Sequence, residues 1–423
     1  MYLDIYGDSL CALVTAAALA SSGHHITLRP PNLAEWQSAV GKGRLDIQEP
    51  GLDRLFAEQI SEGRLSVGDI KAPPRPEVSA VFLAVHSHQR ALAEHVVTVS
   101  APEAGRQRVV INQSPFPVGT TEELQLLCPQ VPVVVLPELL QEGGALQSFM
   151  RPARLLLGCD DRDAEVLVRE IFRPFNRLSD HFLVMGPREA EFTKLAITGM
   201  LATRVSYMND MANLAETLGV DIENVRQGMG SDPRIGEAYL YAGCGFGGPG
   251  LSRDVLNLSE KLSTSGVGSE LLRQVIEINE RQKEVLFRKL WGHYDRNLEG
   301  KVVAIWGAAF KPGTGRVDNA PVERLLNALW AQGVIVKVHD PQALPTLRDR
   351  YGERPDLILC ERPYDASQDA DALMLVTEWK AYWSPDFDHL RQGMRSPVIL
   401  DGRNIYDPAY LRQAGFIYYG VGR

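Results

Sequence analysis

The order of strands, glycine turns and helices at the two ends of the chain is the feature that most restricts its fold. Near the N-terminus a strand at 2–6 is followed by Gly7, an alanine-rich helix at 10–22, Gly23 and a strand at 26–28. A similar series begins at residue 301, with a strand, a glycine turn, a helix closed by Gly333 and a further strand. This order is typical of the first unit of a doubly wound parallel sheet. We therefore predict an α/β chain with two doubly wound domains.

A long uninterrupted helix separates these two parts. Residues 189–218 contain no proline and one internal glycine, Gly199. They predict a helix of about 30 residues and roughly 45 Å, which is longer than a single domain needs. We expect two Rossmann-like domains joined by this long central helix and a helical middle region. The predicted boundaries are 1–188, 189–296 and 297–423.

Composition excludes several classes of protein. A chain of 423 residues exceeds what one hydrophobic core usually supports. The net charge of −9 and the lack of a basic run argue against nucleic-acid binding, so local positive groups must hold any anionic ligand. No apolar run approaches about 18 residues and no basic leader is present, so neither a membrane span nor a signal peptide is expected. Five scattered cysteines without C-x-x-C spacing favour a cytoplasmic location and no zinc.

The first glycine turn matches a dinucleotide-binding fingerprint only in part. A G-x-G-x-x-G series needs glycines at 7, 9 and 12, and the chain has Gly7, Ser9 and Ala12. Ala12 is tolerated where the position serves helix packing, but Ser9 places a side chain where the backbone approaches a pyrophosphate. Arg29 follows the second strand in place of the expected acid. It is either a solvated arginine at a strand end or a partner for a 2′-phosphate.

Polar residues follow other predicted strands, at the sheet edge where doubly wound folds bind ligands. Thr120 is either a plain helix N-cap or a ligand contact. Glu138 places a carboxylate just past a strand, and Lys194 lies among apolar residues of the long helix. A buried lysine is uncommon unless it is paired or functional, so we expect a ligand role for Lys194. Lys311 and Arg403 follow strands of the C-terminal half and suit the phosphates of a nucleotide.

Residues 243–254 read G-C-G-F-G-G-P-G-L-S-R-D and contain five glycines in twelve positions. Glycine permits positive φ and lets the backbone approach a ligand, so we predict a tight loop that forms a site. Cys244 is the only nucleophile of note in this loop. Helices are expected after it, at 255–263 and 270–290.

These motifs, taken as a set, resemble the UDP-glucose/GDP-mannose dehydrogenase family over nearly the full length of the chain. They are E-P-G-L at 49–52, P-V-G-T at 117–120, P-E-L-L-x-E-G at 137–143, A-E-x-x-K-L-A at 190–196, L-A-T-R at 201–204 with N-D at 209–210, D-x-R-I-G at 232–236, G-F-G-G at 245–248, A-F-K-P at 309–312, T-E-W at 377–379 and L-D-G-R-N at 400–404.

The resemblance implies an N-terminal nicotinamide domain that binds NAD, a central helical dimerisation region and a C-terminal UDP-sugar domain. It also implies the family reaction, in which the C6 alcohol of a nucleotide sugar is oxidised twice to a carboxylate. A cysteine captures the intermediate aldehyde as a thiohemiacetal, a second hydride transfer gives a thioester, and water hydrolyses it.

The chain departs from that family at the reactive position. The family's cysteine lies two residues after G-F-G-G, where this sequence has Gly250. Cys244 lies six residues earlier, and we expect it to be a packed apolar residue rather than a substitute nucleophile. Asp318 stands where the family has an arginine near the cofactor. Together with Ser9 and the missing acid after the second strand, Asp318 predicts weakened NAD binding.

The resemblance assigns the remaining roles residue by residue. Glu138 is similar to the carboxylate that works with the hydrolytic water, Lys194 to the oxyanion stabiliser, and Arg234 to a sugar-contacting arginine that reaches across a dimer. The catalytic set is Glu138, Lys194, Asp254 and Thr120; the cofactor set is Gly7, Ser9, Ala12, Arg29 and Thr120; the substrate set is Glu138, Leu139, Lys194, Thr198, Arg234, Gly245, Phe246, Gly247, Gly248, Phe310, Lys311 and Arg403.

Three functional hypotheses follow. The first is a homologue in polysaccharide synthesis that binds a nucleotide sugar but does not complete the oxidation. The second is an active, divergent enzyme that stops at the aldehyde or recruits another residue. The third is a scaffold that pairs with an active paralogue through the long helix.

Overall fold

The computed structural model describes residues 1–41, 45, 47, 49–103, 105–176, 180–264, 266 and 270–423. The chain divides into two compact units, which are Met1–Ala196 (unit 1) and Ile197–Arg423 (unit 2). Each unit contains a largely parallel sheet with helices, so the α/β class and the two doubly wound sheets are confirmed.

Unit 1 is built on an eight-stranded sheet with the order β3-β2-β1-β4-β5-β6-β7-β8. Only β6 and β7 pair antiparallel among the strands described. The strands are β1 (Tyr2–Tyr6), β2 (His25–Arg29), β3 (Leu65–Val67), β4 (Val78–Leu83), β5 (Val109–Asn112), β6 (Val133–Val135), β7 (Leu155–Gly158) and β8 (Phe182–Met185). The helices are α1 (Leu10–Ser21), α2 (Leu33–Gly41), α3 (Leu52–Ser61), α4 (Arg90–Thr98), α5 (Thr120–Leu127), α6 (Ala145–Met150) and α7 (Arg162–Phe172), with a 3₁₀ turn at Arg173–Phe175.

Helix α8 (Pro187–Leu218) spans the boundary between the units and has 32 residues, which confirms the predicted long helix. Unit 2 continues with α9 (Ile222–Gly230), α10 (Pro249–Thr264), α11 (Glu270–Gln282), α12 (Val285–His293), β9 (Val302–Trp306), α13 (Pro321–Trp330), β10 (Ile335–His339), α14 (Leu344–Tyr351), β11 (Leu357–Leu359), α15 (Pro363–Ser367), β12 (Ala372–Leu375), a 3₁₀ turn (Lys380–Tyr382), α16 (Phe387–Gly393), β13 (Val398–Asp401), α17 (Pro408–Gln413) and β14 (Ile417–Tyr419). Its six-stranded sheet has the order β11-β10-β9-β12-β13-β14.

The small side chains of α1 allow this helix to pack inside unit 1. Residues 11–20 of α1 are all buried, as expected for a helix that is apolar on every side. Gly7 connects β1 to this helix with φ 130°, and a Cβ at Gly7 would lie 2.3 Å from the carbonyl oxygen of Ala84. The close approach of the chain after β1 to the chain after β4 therefore requires glycine at this position.

Two predicted elements of unit 2 are wrong in their bounds. Residues 243–254 are not one loop, because α10 begins at Pro249. Proline suits the first position of a helix, since its fixed φ is helical and its missing N–H has no partner there. The helix expected at 270–290 is two helices, α11 and α12, and the break contains Lys283, which is completely buried. No helix within the described ranges is long and apolar enough to cross a membrane.

A buried ion pair lies inside the sheet of unit 1. The Nε atom of Arg29 is 2.8 Å from a carboxylate oxygen of Asp4, and the two residues are 4% and 0% exposed. Arg29 also donates to the carbonyl oxygen of Asp69. Burial raises the pKa of the Asp4 carboxyl, although the positive charge of Arg29 opposes this. The expectation that Arg29 is solvated is therefore wrong, because its guanidinium is held by groups of its own unit.

Removing one partner of this pair is expected to destabilise unit 1. Breaking a buried ion pair costs about 3 kcal/mol or more, because it leaves the other charge buried without a counter-charge. We expect Arg29→Met to lower the free energy of unfolding by about this amount and the double variant Asp4→Leu/Arg29→Met to lose less. Hydrogen exchange of β1 and β2 as a function of urea measures unit 1 alone. The matched control is Arg54→Met, at an exposed arginine of α3. Equal losses in Arg29→Met and Arg54→Met would contradict the prediction.

Candidate functional site

The turn after β1 is stabilised by Ser9 rather than left open. Ser9 is the N-cap of α1, where its side-chain oxygen accepts a hydrogen bond from the N–H of Ala12 at 3.2 Å. Its hydroxyl donates to the carbonyl oxygen of Ala84 at 2.7 Å. Ser9 therefore uses its hydroxyl to cap the helix and to join the turns that follow β1 and β4. Ala12 lies within α1 and is completely buried, in agreement with a packing role.

A pair of side chains bridges the same two turns. The carboxylate of Asp8 lies 3.2 Å from Nε2 of His86, which follows β4. The ring of His86 stacks on His88, with centroids 5.6 Å apart. Strands β1 and β4 are neighbours at the point where the strand order reverses, and ligands of doubly wound sheets bind in the crevice at that point. We refer to this place as the β1/β4 crevice.

The residues of the β1/β4 crevice fit the pyrophosphate of a dinucleotide poorly. The N-terminus of a helix is a good anion site because its N–H groups are unpaired and its dipole is positive. Here the position before the N-cap is Asp8, so the protein supplies an anion of its own next to α1. Arg29, the candidate for a 2′-phosphate, is engaged by Asp4 and Asp69. Of the three fingerprint positions, Gly7 keeps the expected close approach and Ala12 the expected packing, whereas Ser9 uses its side chain as a cap.

Thr120 is not the N-cap of α5. It is the first residue of that helix, and its hydroxyl donates to the carbonyl oxygen of Pro117 at 2.7 Å. The N-cap is Gly119, in the left-handed conformation with φ 96°. A carboxylate from α8, Glu191, accepts from the N–H of Gly119 at 2.5 Å and from the N–H of Thr121 at 3.0 Å. The sequence contained this residue within A-E-x-x-K-L-A, but its function as a helix cap was missed because its partners lie far away in the chain.

Glu138 and Lys194 come together at the carboxyl edge of unit 1. The Nζ atom of Lys194 is 3.9 Å from a carboxylate oxygen of Glu138, and the side chains are 12% and 26% exposed. The expected partial burial of Lys194 is confirmed. Glu138 and Gln113 line a cavity of 330 Å³ together with Cys11, whose thiol has its pKa raised by burial and by the charge of Glu138. Sequence reasoning did not single out Cys11.

In unit 2 the glycine loop, residues 243–248, is held by side-chain amides of α8 and α11. Asn209 accepts from the N–H of Gly243, and Gln282 donates to the Gly243 carbonyl oxygen, both at 2.8 Å. Asn279 accepts from the N–H of Phe246 at 2.8 Å and donates to its carbonyl oxygen at 3.0 Å. These paired hydrogen bonds fix the loop backbone at two points. The spacing of Asn279 and Gln282 on one helix was the available signal for this role.

The other face of the loop packs on the carboxyl edge of the second sheet. A Cβ at Gly247 would lie 2.5 Å from the carbonyl oxygen of Asn319, and one at Gly248 would lie 2.6 Å from the ring of Phe310. The guanidinium of Arg403 donates to the carbonyl oxygen of Gly245 at 3.3 Å. Glycine at these loop positions is therefore required by close packing. The structure brings the predicted residues 245–248, Phe310 and Arg403 together.

Gly250 has different surroundings from the loop glycines. It is the second residue of α10, and a Cβ built on it meets no described heavy atom within 4 Å. Asp254 lies one turn later and is buried beside Arg253, whose Nε atom is 3.3 Å from its carboxylate. A cavity of 510 Å³ adjoins this turn, lined by Phe246, Pro249, Ser252, Arg253, Asn279 and Asp318 among others. Its size is that of a small-molecule site.

Cys244 is completely buried in the core of unit 2. Its thiol lies 3.7 Å from the carbonyl oxygen of Val376, and burial raises its pKa. Its backbone N–H donates to the carbonyl oxygen of Gly402 at 2.9 Å. Only the thiolate is a strong nucleophile, so this environment disfavours reaction at Cys244.

A buried lysine supports the loop from behind. Lys283 donates to the side chains of Glu280 and Asn319 at 2.6 and 2.7 Å, and burial lowers its pKa. A Cβ at Gly245 would lie 3.1 Å from Cγ of Lys283. Sequence reasoning placed Lys283 inside a continuous helix and missed this contact.

The remaining predicted residues lie at several places. Leu139 is 38% exposed next to Glu138, and Thr198 lies on α8 one turn after Lys194. The side chain of Arg234 is 86% exposed and pairs with Asp232 at 2.7 Å. Lys311 lies 5.8 Å from the ring centroid of Phe310. Their roles remain predictions.

Family models match three consecutive parts of the chain. The UDP-glucose/GDP-mannose dehydrogenase family NAD binding domain matches residues 2–176, the central domain of that family matches 188–281, and its UDP binding domain matches 304–408.

Individual relatives match along the full length. A UDP-glucose 6-dehydrogenase of Pseudomonas aeruginosa is 40% identical over an alignment of 446 residues, which covers 100% of this chain and 98% of the relative. A UDP-glucose 6-dehydrogenase of Rhizobium meliloti is 31% identical, and the alignment covers 100% of both chains. The structure of a UDP-glucose dehydrogenase from Pyrobaculum islandicum superimposes with a TM-score of 0.86 at 29% identity, covering 100% of this chain and 97% of the other. The chain therefore belongs to the UDP-glucose/GDP-mannose dehydrogenase family.

Proposed function

We propose that this protein is a nucleotide-sugar dehydrogenase homologue of polysaccharide synthesis that binds a UDP-glucose-like ligand but does not complete the oxidation of C6 to a carboxylate. The observation that carries the proposal is glycine at position 250, where the family has its nucleophilic cysteine. The buried location and raised thiol pKa of Cys244 support it, because they argue against a replacement from the same loop.

Ligand binding in unit 2 is supported by the intact loop. Asn279 holds the backbone of Phe246 within G-F-G-G, and Asn209 and Gln282 hold the backbone of Gly243 just before it. Arg403 and Lys311 lie at the carboxyl edge of the sheet, where cations suit the phosphates of a nucleotide. The match to the family's UDP binding domain and the UDP-glucose specificity named for the relatives favour a UDP-linked sugar.

The missing thiol limits the chemistry to the first stage. Covalent capture forms a bond between sulfur and the aldehyde carbon, and the resulting adduct is the species that is oxidised to a thioester. Glycine has no atom that can form this bond. Lys194 can still stabilise negative charge on an oxygen at C6, and Glu138 can still accept a proton from a nearby water, but neither replaces the thiol.

An enzyme that stops at the aldehyde is the second candidate function. It is favoured by the Lys194 and Glu138 pair, which lies beside a cavity in unit 1. Such an enzyme would release a nucleotide-sugar aldehyde and no carboxylate. Product analysis distinguishes it from the first candidate.

Purified protein incubated with NAD and UDP-glucose, GDP-mannose or an N-acetylhexosamine nucleotide is expected to form no uronate. Turnover at the usual enzymatic rates of about 1–10³ s⁻¹ would overturn the proposal. Accumulation of aldehyde without uronate would favour the second candidate. Calorimetric titration with NAD, NADP, UDP-glucose and GDP-mannose separates loss of the cofactor site from loss of the nucleophile.

The variant Gly250→Cys places a thiol at the family's reactive position and tests whether its absence limits the chemistry. The open space at Gly250 accommodates the side chain, and a thiol at the start of a helix is more readily ionised. We expect Gly250→Cys to capture a ¹³C-labelled UDP-6-aldehydoglucose as a thiohemiacetal detected by NMR, and Gly250→Ser not to do so. Equal capture by the unmodified protein would show that another thiol reacts.

Cys244 is expected to stay unreactive in the folded protein because it is buried and its thiol pKa is raised. Alkylation with iodoacetamide followed by peptide mass spectrometry should label Cys159, which is partly exposed, well before Cys244. Denatured protein, in which both residues react, is the control. Labelling of Cys244 as fast as Cys159 in the native state would instead support its recruitment as a nucleophile.

We also propose that the protein self-associates through α8. The part of α8 in unit 2 carries a row of exposed apolar side chains at helical spacing, namely Ile197, Met200, Tyr207, Leu214 and Leu218. Exposed apolar rows of this kind mark interaction surfaces. We propose a homodimer through this row and, as an alternative, a hetero-oligomer with an active paralogue.

A charge placed in this row is expected to weaken the dimer. Met200 is 61% exposed, and Met200→Asp would bury a carboxylate at the contact without disturbing the core. Sedimentation equilibrium should show at least a tenfold weaker association, about 1.4 kcal/mol. Thr217→Asp, at an exposed position of α8 outside the row, is the control. A dimer unchanged by Met200→Asp would exclude this surface, and co-purification of a paralogue would favour the hetero-oligomer.

A further inference from the structure

The β1/β4 crevice contains an acid that the fingerprint does not require. Asp8 lies between Gly7 and Ser9, immediately before the N-cap of α1. Its carboxylate is 3.2 Å from Nε2 of His86, which comes from the opposite wall of the crevice. A side-chain pair thus crosses the place where a doubly wound sheet binds the phosphates of its ligand.

The position of the pair is fixed by backbone contacts on both sides. The hydroxyl of Ser9 and the Cα of Gly7 both lie against the Ala84 carbonyl, so the turns that carry Asp8 and His86 cannot separate without breaking these contacts. The N–H of His86 donates to the side chain of Gln89 at 2.9 Å, which anchors the second turn. The two turns are therefore held together, and the crevice between them has a carboxylate at its helix end.

For ligand binding in the crevice, the charge of Asp8 is more important than the strength of its contact with His86. The two side chains are 31% and 48% exposed, and polar contacts of that exposure contribute little to stability. A ligand can therefore displace His86 easily, but the carboxylate remains next to the helix end that a pyrophosphate would occupy. Two like charges at one such site repel each other.

We propose that Asp8 is a specificity-determining residue that acts as an internal anion in the β1/β4 crevice and discriminates against ligands that carry a pyrophosphate there. This inference rests on the proposed function and gives a physical cause for the weakened NAD binding that the sequence predicts, which would also limit the oxidation. It assigns the loss to charge at Asp8 rather than to the side chain of Ser9 alone.

The test is calorimetric titration of the full-length protein and of Asp8→Asn with NAD, ADP-ribose and adenosine. Asp8→Asn keeps the size of the side chain and removes the charge. We expect it to bind NAD and ADP-ribose about tenfold more tightly, a gain of about 1.4 kcal/mol. Adenosine lacks phosphate, so its affinity should not change, and the gain for the other ligands should shrink at high salt.

Two further variants locate the effect. Glu58→Gln removes one negative charge at an exposed position of α3 and should leave all three affinities unchanged. His86→Ala removes the bridge but keeps the carboxylate, so it should not raise the affinity for NAD. A rise in His86→Ala equal to that in Asp8→Asn would overturn the proposal in favour of a steric block.

Two other results would also overturn the proposal about Asp8. Unchanged NAD affinity in Asp8→Asn, or no detectable NAD binding by either protein, would show that the charge of Asp8 is not what limits the crevice. Failure of the inference is distinct from failure of the proposed function. Rapid uronate formation by the unmodified protein would overturn the proposed function, whatever the effect of Asp8→Asn on affinity.

Discussion

The docking of the glycine loop on the second sheet is the contact on which the site in unit 2 depends. Gly247 and Gly248 approach Asn319 and Phe310 so closely that a Cβ at either position would overlap them. Three side-chain amides from α8 and α11 then bind the loop backbone from the other face. Because the loop is fixed by backbone contacts on both sides, its shape does not depend on the side chain at the reactive position.

This arrangement explains why the loop does not need a cysteine at position 250. Packing requires glycine at 247 and 248, whereas a side chain at 250 would extend into open space at the start of α10. A Cβ at 250 meets no described heavy atom within 4 Å, so glycine at this position gives up no contact of that atom. Glycine in the middle of a helix costs about 0.5–1 kcal/mol relative to alanine, and a chain of this size tolerates a cost of that order at the start of α10. The fold therefore does not depend on a cysteine at this position.

The sequence predicts the regular part of the fold well, because that part follows from local patterns. Strand β1 has the predicted bounds, α1 ends one residue early, and α8 differs by two residues at its start. Gly7 and the loop glycines were also found, since glycine marks a backbone constraint directly. The start of α10 was missed because glycine-rich composition outweighed the helix-starting preference of Pro249.

The interactions that the sequence did not predict join residues far apart in the chain. Glu191 caps α5 across 72 positions, and Asp8 meets His86 only because β1 and β4 become neighbours. Arg29 was interpreted either as a solvated residue or as a partner for a 2′-phosphate, but its guanidinium pairs with Asp4 on the adjacent strand. Such pairs require knowledge of the strand order, which periodicity alone does not provide.

Glu191 and the Glu138–Lys194 pair differ in how far the fold itself explains their presence. Glu191 accepts hydrogen bonds from the first turn of α5, so the fold alone accounts for a carboxylate at this position. Glu138 and Lys194 are different, because a partly buried lysine and carboxylate 3.9 Å apart carry a desolvation cost that a pair of apolar residues would avoid. Their retention at the carboxyl edge of unit 1, next to a cavity, argues for continued contact with a polar ligand. The contacts that hold the loop and the Glu138–Lys194 pair do not involve a side chain at position 250.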